Sequence, residues 1–363
     1  MIKDKMTSTQ MTLQLFAAMV GVGVLSLPSK LVSSAGVDGW LVILLAGGYA
    51  VIAVSIMAYL GNRFPGKSII QYAPLLLGNV LSTCILLAFL LYFLMFVGTI
   101  VRMSADVTKL FLLDLTPVEI IVLGMLVTST YLIQQGINAI ARFNECIQPL
   151  ALIALLIVLT QTLRETDFGR LLPVLGEGIQ PVLQSFPNVI FSLLGFEILL
   201  FIHPFMEKQS HALQSSFIAI GMTVFLYIIL TILSIAMMGA AEVKLVEYPA
   251  LAIIKSIEVP GSFIERLDSI MMMVWVPFAV TSIVMFHYCA SLITTQLLHL
   301  HEHRVVSLLY VPIVFLIAVL PRNVLEVERW SQWTSWLGVG LVSLVPISLI
   351  LAYKWRARRM SSS

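Results

Sequence analysis

Few side chains in this 363-residue sequence are equipped for chemistry, and those that stand out are set in apolar company. Glu197 lies in the run LLGFEILLFIHPF, where a carboxylate can accept from freed backbone N–H groups, meet an ammonium or carry a proton. Arg102 and Asp106 are four residues apart, on one helical face, and can satisfy each other. That spacing reads first as a structural pair, with a gate as the alternative. The adjacent hydroxyls of Thr281 and Ser282 can bond back to their own helix or across to a neighbour. His287 sits in the same apolar run and reads as a buried, hydrogen-bonded histidine. The cluster His299, His301, Glu302, His303 has the composition of a metal site but falls in a polar connection, and no metal is expected there. Cys84, Cys146 and Cys289 are widely spaced and make no disulfide framework. Nucleotide loops, HExxH, G-x-S-x-G and paired catalytic carboxylates are all missing from the sequence, so neither enzyme chemistry nor a cofactor is expected.

The composition dictates which elements must hold these residues. Hydrophobic residues make up 59% of the chain and charged residues 11%, with 21 basic, 19 acidic and a formal net charge of +2. A soluble domain is usually about 45–50% apolar and about 25% charged. So few charges cannot coat a soluble protein of this size, and the excess apolar surface must face lipid. The near-neutral charge also gives no footing for a nucleic-acid partner.

A helix needs about 20 apolar residues to cross about 30 Å of hydrocarbon. That window predicts ten spans, at 10–33, 40–61, 76–112, 118–136, 144–163, 185–206, 212–240, 264–298, 304–321 and 333–354. The third and eighth exceed the bilayer and should tilt or project. Lys3, Lys5, Arg63, Lys67, Arg142, Lys208, Arg304 and the C-terminal Lys354, Arg356, Arg358 and Arg359 fall on the side of both termini, which is therefore predicted to be cytoplasmic. Residues 241–262 mix charges with helical apolar spacing and read as an extracytoplasmic surface helix.

Spans 1 and 6 are interrupted. The first carries Gly21, Gly23 and Pro28; the sixth carries Gly195 and Glu197 between Pro187 and Pro204. Glycine-interrupted segments at matching places in two halves point to an inverted-repeat transporter fold with its site at mid-membrane. The chain is then one transmembrane domain, 1–363, with repeats at 10–163 and 185–355. Freed N–H groups at a half-helix start suit a carboxylate, and freed carbonyls suit an ammonium or a cation.

Five ordered stretches carry a family resemblance: QLFAAMVGVGVLSLPSKLVSSAGVDGW (14–40), NRFPGKSIIQYAPLLLG (62–78), RFNECIQPLALI (142–153), LLGFEILLFIHPF (193–205) and VPGSFIERLDSIMMMVWV (259–276). Together they resemble the B subunits of spore germinant receptors, the spore germination permease family, within the amino acid–polyamine–organocation superfamily. The resemblance implies an all-α integral membrane protein of LeuT-type fold in the inner membrane of a spore. It implies a small nutrient germinant, often an amino acid, and A-type and C-type partner subunits. The alternative it leaves open is an H+- or Na+-coupled secondary amino-acid transporter.

In that fold the ligand would lie between spans 1, 3, 6 and 8. Its carboxylate would meet the N–H groups of Val22, Gly23, Val24 and Leu25, next to Gly21. Span 3 would contribute Phe96, Thr99, Ile100 and Met103; span 6 Phe191, Gly195, Phe196 and Glu197; span 8 Val274 and Phe278. Glu197, Arg102 and Asp106 would couple or gate, and Thr281 and Ser282 would be the oxygens for a cation, as in sodium-coupled members of the fold.

Overall fold

Apolar runs of this length fold as helices because, away from water, each backbone N–H and C=O needs a partner within its own segment. The computed structural model describes residues 5–21, 23–163, 166–256 and 267–361. Among them the regular structure is helical, and the one extended pairing is an isolated parallel bridge between Met6 and Met206. The helices are α1 (Ser8–Val20), α2 (Gly23–Ala35), α3 (Gly39–Arg63), α4 (Ile69–Leu77), α5 (Asn79–Phe111), α6 (Val118–Gln134), α7 (Ile137–Thr162) and α8 (Gln180–Leu193). They continue as α9 (Leu199–Ile202), α10 (Ala212–Met238), α11 (Ala240–Val243), α12 (Pro249–Ser256), α13 (Leu267–Leu297), α14 (His303–Val319) and α15 (Val324–Ser361).

Local chemistry sets where several of these start. Thr7 caps α1 in a reciprocal box: its Oγ1 accepts the Gln10 N–H at 3.2 Å, and its own N–H donates to Gln10 Oε1 at 3.1 Å. At α4 one half of the device is present, the Ser68 N–H donating to Gln71 Oε1 at 3.3 Å. Some helices outrun the predicted spans: α7 starts at Ile137, seven residues earlier than expected, and α15 runs from Val324 to Ser361. Hydropathy stops at the first charges, whereas the backbone ladder carries on through Glu326, Glu328 and Arg329 at the polar end.

Among the described residues, six helical stretches are long and apolar enough to cross a membrane: Gly23–Arg63, Asn79–Phe111, Ile137–Thr162, Gln209–Met238, Trp275–Leu297 and Val324–Arg356. Val118–Gln134, Phe196–Phe205 and His303–Val319 are shorter apolar helices. The exterior carries a broad apolar surface, including Ile52, Leu91, Val127, Ile157, Leu309 and Leu351, each more than half exposed. Water would not tolerate that surface, and lipid would. The chain is a multi-pass membrane protein.

The core centres on α13, which packs against α5, α7, α1, α14 and α6. In its apolar stretch 89% of residues are buried, against 28% in that of α15, so α13 is a central staff and α15 has a lipid face. α3 lies on α10 and α8, and α1 lies on α10, α7 and α13. One end of the molecule gathers residues 36–38, 167–176 and 236–240, tied by Asp38 to the Leu175 N–H and by the Asp167 N–H to the Ala236 carbonyl. The other end gathers Met6, Asn62, His203 and His211, through Asn62–His203 and Ser8–His211 hydrogen bonds. α12 lies against α2, α10 and α13 at the first of these ends; residues 257–262 of the predicted surface helix lie outside the described residues.

Candidate ligand site at the helix breaks

α1 stops at Val20 and α2 starts at Gly23, while α8 stops at Leu193 and gives way to a tight turn, Phe196–Ile198, before α9. The two breaks meet backbone to backbone. Gly195 has φ +131°, and a Cβ placed there would lie 2.6 Å from the Ala18 carbonyl carbon and 2.8 Å from the Met19 nitrogen. Only glycine allows both that dihedral and that approach. The Tyr227 hydroxyl on α10 lies 2.8 Å from the Met19 carbonyl and 2.9 Å from the Ser192 carbonyl, so its one proton is shared between the ends of both interrupted helices. Both carbonyls lack a helical partner, which is the deficit this hydroxyl meets.

Glu197 is fully buried directly after the second break. One carboxylate oxygen accepts from the Gly195 N–H at 2.7 Å and the other from the Tyr92 hydroxyl at 2.7 Å. The side chain thus stabilises its own turn and ties it to α5.

A small cavity opens beside the breaks. Gly21 and Gly23 line it from one break, Ser192 and Leu194 from the other. α5 supplies Phe96, Thr99, Ile100 and Met103, and Thr334 comes from α15. Its volume is about 30 Å³, room for about two waters. Ser26, Lys30 and Met103 also line a larger vestibule of about 320 Å³, which continues to Asp106, Glu247 and Glu328 at the end of the molecule that holds α11 and α12. At the opposite end the chain is closed: the Met6 N–H donates to the Phe205 carbonyl at 2.6 Å and the Glu207 N–H to the Met6 carbonyl at 2.9 Å.

Of the residues expected to form the site, Gly21, Gly23, Phe96, Thr99, Ile100 and Met103 come together around this cavity. Val24, Leu25 and Phe278 line a separate apolar crevice with Trp275 and Leu226, on the other face of α2. Gly195, Phe196 and Glu197 are buried at the break without lining the cavity. Val22 lies outside the described residues, as do the side chains of Phe191 and Val274.

Arg102 and Asp106 pair as their spacing implies, Nε lying 3.1 and 3.0 Å from the two carboxylate oxygens. The structure adds that Arg102 Nη1 donates to the Ala318 and Pro321 carbonyls at 3.1 and 2.9 Å, fastening α5 to the end of α14. Ser282 Oγ donates to the Ala17 carbonyl of α1 at 2.6 Å, and Thr281 Oγ1 donates to the Phe278 carbonyl and accepts from Gln148 at 3.0 Å. His287 is buried, its Nε2 lying 3.1 Å from the Ser307 carbonyl.

Sequence reasoning missed Lys30, Ser192, Thr334 and Tyr227. A lysine inside the predicted span 10–33, three residues from its end, was a signal open to it; the two hydroxyl residues and the tyrosine are ordinary in membrane helices and acquire meaning only through their neighbours.

Residues 5–327 match a family model described as "Spore germination protein". The chain is 30% identical over 358 residues to the spore germination protein YndE of Bacillus subtilis, covering 98% of each chain. It is 29% identical over 341 residues to the spore germination protein A2 of Bacillus subtilis, covering 93% of each. Against the spore germination protein GerLB of Bacillus cereus it is 22% identical over 358 residues, covering 98% of this chain and 96% of the relative.

Proposed function

Because the chain belongs to the spore germination permease family, we propose that it is the membrane subunit of a germinant receptor, binding a small nutrient, an amino acid, at the paired helix breaks. The observation that carries this reading is the cavity at the meeting of two interrupted helices, joined to one end of the molecule by the vestibule and closed at the other. The first N–H groups of α2, at Gly23 to Leu25, have no partner within their helix and suit a carboxylate. The side chain would enter the space bounded by Phe96, Ile100 and Met103. A ligand larger than about two waters requires that space to widen, so binding favours an arrangement of the helices other than the one described here.

An inverted repeat of five and five spans in a LeuT-type fold is supported by the symmetry of the packing. Exchanging each span with its counterpart five places on turns the α1–α7 contact into α8–α15, α1–α10 into α8–α3, α7–α13 into α15–α5, and α6–α13 into α14–α5; all eight contacts are present. The short helix α4 after α3 likewise has a counterpart in α11 and α12 after α10. Both termini would face the cytoplasm and the vestibule the outside of the spore inner membrane. The shift on binding would pass to A-type and C-type subunits.

A second reading, a secondary transporter driven by H+ or Na+, is favoured by two contacts: Ser282 meets α1 and Thr281 meets α7 near the first break, where a cation would find carbonyls and hydroxyls together. Uptake of labelled amino acid by the purified chain in liposomes under an ion gradient separates the two readings.

The receptor reading is tested by thermal shift of the purified protein with each of the twenty amino acids, since a ligand bound only by the folded state raises its stability. One or a few should raise the melting temperature. Gly23→Leu, which extends past the Ser192 backbone 3.6 Å away, should reduce that shift while the protein still assembles. A full response in Gly23→Leu would overturn the site.

A further inference from the structure

The cavity at the breaks is a tenth the size of the vestibule above it, and it holds no amino acid in this arrangement. The vestibule does have the room, and its charges are mixed. Lys30 lines both spaces, and its Nζ lies 3.9 Å from Glu328 across the gap between α2 and α15. Glu247, from the link between α11 and α12, lines the vestibule with the same lysine. Asp106 is committed elsewhere, both of its oxygens being held by Arg102.

We propose that this vestibule is a separate outer binding site for an α-amino acid, its carboxylate held by Lys30 and its ammonium by Glu247 and Glu328. The Lys30–Glu328 pair is long and its side chains are 35% and 48% exposed, so it is a weak, exchangeable contact that a ligand's two charges can replace one for one. A zwitterion satisfies both signs at once. A carboxylic acid without an ammonium meets two uncompensated glutamates, and an amine without a carboxylate leaves Lys30 unanswered. Ser26, Ser29 and Ser331 add hydroxyls to the wall, while Met103, Tyr248 and Val327 give it an apolar side for the ligand's side chain. The outer site holds the ligand at the mouth of the inner cavity until that cavity widens.

The proposal rests on the receptor reading for its ligand class, and the test keeps the two apart. Ser29→Cys, in the full chain with Cys84 and Cys146 replaced by serine, is labelled with a charged methanethiosulfonate, and each of the twenty amino acids is tried as a protectant. At least one should slow labelling by about fivefold at a few times its Kd, and its acid and amine analogues, lacking one charge, should not. Protection should vanish in Lys30→Met and in the double variant Glu247→Gln/Glu328→Gln, return in Lys30→Arg, and survive in Gly23→Leu.

A Ser29→Cys that resists labelling, labelling that no amino acid slows, or protection that survives Lys30→Met would overturn the outer site. Protection that disappears in Gly23→Leu would also overturn it, because the inner cavity would then be the site observed. A thermal shift sensitive to Gly23→Leu without protection leaves the receptor reading standing and removes the vestibule; protection without such a shift does the reverse.

Discussion

Glu197 is tolerated at depth because two donors reach it, the Gly195 N–H and the Tyr92 hydroxyl. Glutamine keeps an acceptor for the first and offers an amide N–H to the tyrosine oxygen. Alanine leaves both donors unpaired. Glu197→Gln should therefore unfold near the wild-type temperature in detergent, while Glu197→Ala should lose about 2–4 kcal/mol. If Glu197→Gln is stable yet no longer responds to any amino acid, the carboxylate couples binding to the wider change as well as holding its turn. Tyr227 is the companion case. Tyr227→Phe removes the one proton shared by the Met19 and Ser192 carbonyls and should cost about 1–3 kcal/mol in thermal unfolding, with little loss of packing, because the ring remains.

Among the elements, the crossing of the two breaks depends on Gly195. A methyl group there would press on the Ala18 backbone and force a side-chain-bearing residue to φ +131°. Backbone cannot retreat as a flexible side chain can, so Gly195→Ala should destabilise by about 3 kcal/mol or more, read as a lower melting temperature and poor recovery from membranes. The glycines themselves were legible in the sequence, as were the interruption of both helices and the Arg102–Asp106 pairing. The faces were not. Successive residues on a helix point about 100° apart, so Gly23 borders the cavity while Val24 and Leu25 turn to the crevice beneath α10 and α13. Hydropathy marks where a helix lies and leaves its rotation open. Tyr227 and Ser192 were hidden for the related reason that they meet across helices distant in the chain, and Thr334 because the cavity it borders is lined by other helices.

For the molecule as a whole, the asymmetry between its ends matters most. The vestibule end is open, and the other end is clasped by the Met6–Met206 bridge, with one backbone hydrogen bond on either side of it. If binding works by exchanging open and closed ends, that clasp must part during each cycle. Met6→Cys/Met206→Cys should form a disulfide, since paired residues on adjacent extended segments lie within bonding range. Once oxidised, the variant should still take up ligand at the vestibule, yet fail to trigger germination in spores that carry it, and reduction should restore the response. An unimpaired response in the oxidised protein would show that the clasped end stays shut throughout.

The burial of α13 sets one further condition on how the protein meets its surroundings. Its apolar stretch is as hydrophobic as a membrane span requires, yet nearly all of it is buried in protein, whereas most of each such stretch in α7 and α15 is left on the outside, where lipid would meet it. A bilayer that is too thick or too thin is accommodated by tilting the helices that feel it. Those are the outer helices, and they would tilt about a staff that does not sense the mismatch. Because α15 carries Thr334 and Glu328, a change in acyl-chain length or order would alter the width of the vestibule and the cavity beneath it. Under the proposed receptor function, the physical state of the surrounding lipid would be a second input to the same site, setting how readily a given concentration of nutrient is detected.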